Sequence, residues 1–188
     1  MKVKNIFILA AMSLTLASCS DLFEPAEENN RGLDEIYNEP TYAQGLLGYG
    51  YAMLPYNTKS VTDVATDDAV SNDLTNGYLK MATGSWTANN DPMSKWTSGR
   101  ASIQYLNIFL QEVDKVNWAK DENARKMYCD SRKGEAYALR ALNLYYLLMN
   151  HGGWTADGKL LGVPNLTEPE SSTDDFNKPR NTFQECLD

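Results

Sequence analysis

The residues best suited to chemistry lie in the polar stretch from Asn57 to Asn90. It mixes Thr, Asp, Asn, Ser and Gly with two isolated aromatics, Tyr78 and Trp86. An aromatic ring offers a face on which the C–H surface of a sugar can pack, and carboxylates and amides offer partners for its hydroxyls. Trp86 as a stacking platform, with Tyr78, Asp67, Asp68, Asn89 and Asn90 around it, is therefore the candidate ligand site. The alternative for Trp86 is that it packs down over the core. Buried Trp86 and Tyr78 rings would favour a scaffold, and an exposed ring beside Asp68 and Asn90 would favour binding.

Catalysis is not expected. Asp67 and Asp68 are neighbours in sequence and seldom face each other, whereas glycosidase carboxyls stand roughly 5 to 9.5 Å apart across a substrate. Asp63, Asp67 and Asp68 lack the twelve-residue loop signature of a calcium site. Cys129 and His151 lie on one helical rod about 33 Å apart at 1.5 Å per residue, too far for a nucleophile and its base. Cys19, Cys129 and Cys186 show no paired short spacing for zinc or redox work. Neither a cofactor nor a metal is implied. Cys129 and Cys186 are expected to be free thiols, since one lies in mid-helix and the other near the end of the chain.

Cys19 has its own chemistry. Lys2 and Lys4 precede an apolar run from Ile6 to Leu16, too short to span a bilayer. Leu16-Ala17-Ser18-Cys19 then looks like a bacterial lipobox, with Cys19 as the lipidated residue. Residues 1–18 are read as a lipoprotein signal peptide and set apart from the fold. Residues 19–37, acidic and polar, are read as a solvated tether that leaves the chain attached to a membrane through the lipid.

The remainder is long enough for one domain. Seventeen Lys and Arg against 25 Asp and Glu, a net charge of −8, with no basic cluster, exclude nucleic acid as a natural partner. The elements that must position the loop read as helices. Asn38-Glu39-Pro40 opens the first, with Tyr42, Leu46, Tyr49 and Met53 at helical spacing and Pro55 ending it. Gly45, Gly48 and Gly50 inside it are expected to mark close packing on another helix. Asp91-Pro92 opens a second helix, with Trp96, Ile103, Leu106, Leu110 and Val113 as its buried stripe and Asn107 satisfied within the core. A third runs from Asp121 to Asn150, closed by Gly152 and Gly153. Its row Ala124, Tyr128, Ser131, Glu135, Ala138, Leu142, Tyr145 and Met149 shares one face, which is expected to pack on other helices. Leu160 to Leu166 reads as an extended piece, and Arg180-Asn181-Thr182 as a helix start.

Taken in order, the lipobox at Cys19, the Trp96…Ile103…Asn107 helix and the Arg132, Glu135, Ala136, Leu139, Arg140, Ala141, Tyr145 and Leu148 set resemble the SusD/RagB family of Bacteroidetes outer-membrane lipoproteins. Gly162-Val163-Pro164 and Arg180-Asn181-Thr182-Phe183 extend the match. Gly152-Gly153-Trp154 departs from the family's commoner Tyr-Gly. The family's members are longer, so residues 38–188 are expected to be the N-terminal portion of such a domain. The resemblance implies an all-α fold of tetratricopeptide-like antiparallel helix pairs with long irregular loops. It also implies a lipid-anchored protein on the cell exterior that captures glycan for a SusC-like TonB-dependent transporter and does not catalyse. The alternative is a helical scaffold or lid for that transporter, with no ligand site of its own in this segment.

Overall fold

In the computed structural model, which describes residues 32, 35, 38–55, 62–87 and 89–188, the chain from Glu35 onward forms one compact unit. Cys19 and most of the tether lie outside the described residues. The fold is mainly α. Helix α1 is Pro40–Ala52, α2 is the short Gly77–Ala82, α3 is Trp96–Glu112 and α4 is Glu122–His151. Among the described residues, no helix is long and apolar enough to cross a membrane.

Helices α3 and α4 form an antiparallel pair. Gly99 at the start of α3 faces Leu147 near the end of α4, and the Cys129 thiol near the start of α4 donates to the Val113 carbonyl just past α3. The link between them folds back tightly, because the Trp118 indole N–H donates to the same Val113 carbonyl at 3.1 Å while its ring sits edge-on to Phe109. Helix α1 lies across the pair, with Gly50 against Leu106 and Leu139. Two cores result. One gathers Leu47, Leu106, Phe109, Val113, Ala136 and Leu139; the other gathers Ile103, Leu147, Leu148, Val163 and Cys186. Each fully buried large side chain among them contributes roughly 1.5–3 kcal/mol.

Three expectations need correction. The row of α4 from Ala124 to Met149 faces outward, leaving Met149 64% and Tyr145 52% exposed; the packed row is Cys129, Ala136, Leu139, Asn143 and Leu147. The second half of α4 is apolar on most sides, so helical spacing set the period without setting the phase. Among the described residues, Gly45 and Gly48 have no neighbour where a side chain would stand, and of the three Gly50 alone makes a close contact. Finally, α3 begins at Trp96, because the Asp91 carboxylate accepts the Met93 N–H at 2.8 Å and so caps a separate turn. The start of α4 is as expected, with Asp121 accepting the Ala124 N–H at 2.9 Å.

Beyond α4, strand β1 (Gly153–Trp154) pairs antiparallel with β2 (Leu160–Leu161). Thr182 and Glu185 exchange bonds as a capping box, with Glu185 Oε2 accepting the Thr182 N–H at 2.7 Å, and open a 3-10 turn over Gln184–Cys186. Cys129 and Cys186 are free and buried, each in a different core.

The segment between β2 and that turn is held by a polar row on α3. The buried Asn107 amide donates to the Leu166 and Glu168 carbonyls at 3.0 and 3.1 Å, and its oxygen accepts from Arg140 of α4 at 2.9 Å. One turn earlier, Gln104 exchanges two bonds with the Glu170 backbone, and Arg100 pairs with the Glu170 carboxylate at 3.1 Å.

Asn107→Leu is expected to destabilise the fold by roughly 3 kcal/mol, since it strands two carbonyls and part of the Arg140 guanidinium; urea unfolding measures this, and a loss under about 0.5 kcal/mol would contradict the account. A contrasting pair probes the glycines. Gly45→Ala, on the open side of α1, is expected to add about 1 kcal/mol. Gly99→Ala is expected to cost roughly 1–3 kcal/mol, its new methyl meeting Leu147 at 2.9 Å.

Candidate functional site

The stretch from Thr62 to Lys95 is built from local turns, each closed by a short polar side chain. A 3-10 turn, Thr62–Ala65, is followed by Thr66, whose hydroxyl donates to the Asp63 carbonyl at 2.7 Å and accepts the Asp68 N–H at 3.2 Å. Asp73 accepts both the N–H and the hydroxyl of Thr75, which hold its carboxyl below the usual carboxylate range. Asn76 caps α2 by accepting the Tyr78 N–H at 3.0 Å. Helix α2 then ends in a turn where Gly84 takes φ +69, a left-handed conformation that glycine adopts without cost. Such i to i+2 bonds compete with longer-range periodicity and leave no helical or alternating pattern to read.

The returning strand of this loop is tied to α2. Lys80 Nζ donates to Asn90 Oδ1 at 3.0 Å, and Thr87 and Asn90 form a bridge. Trp86, immediately before this bridge, stands 50% exposed. At the other end, Gly77 leaves room for Pro92, whose Cβ would lie 2.9 Å from an added methyl. The loop is therefore clamped to the Asp91–Lys95 turn that precedes α3.

A cleft of about 220 Å³ opens where α2, this turn and the end of α4 meet. Tyr78, Tyr146, Met93 and Met149 supply apolar wall, and Lys95 and Asn150 supply polar edges. Of the six residues expected from the sequence to bind ligand, the structure brings Tyr78 to this cleft. Trp86 stands on the returning loop; Asp67 and Asp68 are exposed on the bend after the 3-10 turn; Asn89 is exposed, and Asn90 is engaged by Lys80. Tyr146, Asn150, Met93 and Lys95 were missed. Tyr146 and Asn150 differ by one turn of α4, and a Tyr-x3-Asn pair at a helix end was the available signal. The neighbouring outward row had drawn Tyr145 and Met149 into a helix-packing account.

Aromatic faces beside amide, hydroxyl and ammonium donors suit a polyhydroxylated ring, whose C–H faces and hydroxyl edges need both. Among the described residues, no three His, Cys, Asp or Glu side chains are grouped to hold a metal ion. Arg132, Glu135 and Arg140 lie elsewhere and make structural pairs. Arg132 bonds Glu135 at 2.6 Å, and Tyr51 of α1 donates to the same carboxylate at 2.7 Å. Burial alone would raise the Glu135 carboxyl, but these two donors outweigh it and leave it below its ordinary value.

Residues 31–188 match the SusD-like family described as starch-binding and associating with the outer membrane. The chain belongs to the SusD-like family. Neither the search of curated proteins nor that of solved structures gave a match. Membership implies a starch- or glycan-binding protein associated with the outer membrane. It also agrees with the mainly helical architecture seen here.

Proposed function

We propose that this SusD-like chain captures oligo- or polysaccharide at the cell surface and hands it to a SusC-like TonB-dependent transporter, without catalysis. A lipid on Cys19 anchors it in the outer membrane, facing the exterior. The observation that carries the proposal is the tyrosine-walled cleft at Tyr78 and Tyr146, with a half-exposed Trp86 standing apart from it on a loop that is held to α2. Trp86 supplies a stacking face, and Asp67, Asp68, Asn89 and Asn90 supply polar partners along the exposed side of the loop. The second reading, a scaffold or lid for the transporter, is favoured by the uncovered apolar row of α4 through Met127, Tyr128, Tyr145 and Met149.

Electrophoresis through gels containing polysaccharides, beginning with soluble starch, separates the two. Retardation is expected for the chain, weakened about tenfold, or about 1.4 kcal/mol, in Trp86→Ala and in Tyr78→Ala. Retention unchanged in both variants would remove the loop and the cleft from the site. No retention on any polysaccharide would leave the scaffold reading in its place.

A further inference from the structure

The chain has one histidine, and it stands at the last position of α4. His151 Nε2 accepts the Lys95 backbone N–H at 3.2 Å, with Ser94 Oγ at 3.4 Å from the same nitrogen. A backbone N–H can only donate, so Nε2 carries the lone pair and the ring proton sits on Nδ1. The ring is fixed edge-on to Trp96, with centroids 5.3 Å apart, and the His151 carbonyl accepts from Arg180. Helix α3 has no capping bond from the side chain of its own N-cap residue, Lys95. The imidazole thus holds the turn at which α3 begins, and Met93 and Lys95 of that turn line the cleft together with Tyr146 and Met149 of α4.

We propose that His151 is a positioning residue for the cleft: its neutral imidazole, by accepting the Lys95 amide, fixes the Asp91–Lys95 turn as cleft wall, and protonation releases that turn and weakens ligand capture. The second half rests on the cleft being the ligand site. Protonation would turn Nε2 from acceptor to donor, facing a donor. It would also place a positive charge at the positive end of the α3 dipole, an effect offset by the negative end of α4, so the loss of the Lys95 bond is what releases the turn.

The charged groups around the ring are Asp91 and Lys95 from the turn and Arg180 from the C-terminal segment. Burial is the largest influence and lowers the proton affinity of the imidazole; Asp91 opposes it and Arg180 reinforces it, with a net value below the ordinary histidine range. The sign follows. The folded chain binds this proton less readily than the unfolded chain, so the His151 contribution to stability is complete above the unfolded pKa of about 6.5. It is lost as pH falls from there through the lower folded value.

A single imidazole makes the test direct. In the isotope-labelled full chain, the His151 ring signal is followed by NMR from about pH 7.5 to about pH 5, together with Lys95 amide exchange and starch retention. The ring is expected to titrate below its ordinary value. Lys95 protection is expected to fall about tenfold in the same range, and starch retention with it. In His151→Gln, whose amide oxygen accepts without titrating, both dependences are expected to vanish. Lys95 protection that stays flat through the ring titration would overturn the proposal, as would a fall in starch retention equally steep in His151→Gln. Starch retention that is absent at every pH, with ring and amide titrating together, would overturn the link to ligand capture and the cleft's assignment, leaving the helix-capping role standing.

Discussion

The structure depends on finding partners for the carbonyl groups of one irregular segment. Residues 162–181 cover the second core with little secondary structure of their own, and buried backbone groups without partners each cost roughly 1–3 kcal/mol. The polar row on α3 and Arg140 on α4 supply partners there, taking the part-buried carbonyls of Leu166, Glu168 and Glu170 and the exposed one of Thr167. Asn107 is central because its amide donates to the segment while its oxygen receives α4. With the segment fixed, Arg180 is delivered to the carbonyls of Gly162 and of His151 at the end of α4, where a cation also complements the helix dipole. The last turn of α4, and with it one side of the cleft, is thus tied to the same segment that Arg140 holds about 16 Å back along the rod.

The two halves of the chain divide order in different ways. The helices owe theirs to buried apolar rows and to long-range polar bonds. The stretch from Thr62 to Lys95 owes its order to turns closed by Asp, Asn, Ser and Thr side chains, with few buried apolar groups. Local turns stabilise a backbone path without committing side chains such as Trp86 to the interior. Loops of this kind, held at a few points by a rigid frame, are where recognition residues tend to stand. Here the points are Lys80 on Asn90, Pro92 in the space beside Gly77, and His151 on Lys95.

How much could be read in the residues depended on whether a feature was local. The Asp121 cap, the span of α4, the burial of Asn107 and the Thr182 start were legible because each rests on neighbours in sequence or on a strong period. The packed face of α4 was not. Leu142, Tyr145 and Met149 fit helical spacing as well as Leu139, Asn143 and Leu147 do, and only the partner helix decides between them. Asp91-Pro92 has the composition of a helix start, yet the same carboxylate serves a free-standing turn equally well. Of the residues that line the candidate cleft, Tyr78 alone was among those named from the sequence as ligand-binding. Tyr146, Asn150, Met93 and Lys95 were not, because the cleft joins three elements whose meeting is set by tertiary contacts.

The meeting of those three elements also explains what is asked of the end of α4. A cleft can discriminate only if its walls hold still, and two of its walls come from short pieces, α2 and the Asp91–Lys95 turn, that cannot be stable alone. Each is therefore tied to something larger. Helix α2 reaches the turn through Gly77 and Pro92, and the turn reaches α4 through His151. A lysine or arginine at that position would complement the α4 dipole at least as well but could only donate, and the Lys95 amide would have no acceptor. An aspartate or glutamate would accept, yet would oppose the dipole of α4. A neutral imidazole accepts from one helix without opposing the end of the other, and it does so at the turn that forms one wall of the cleft.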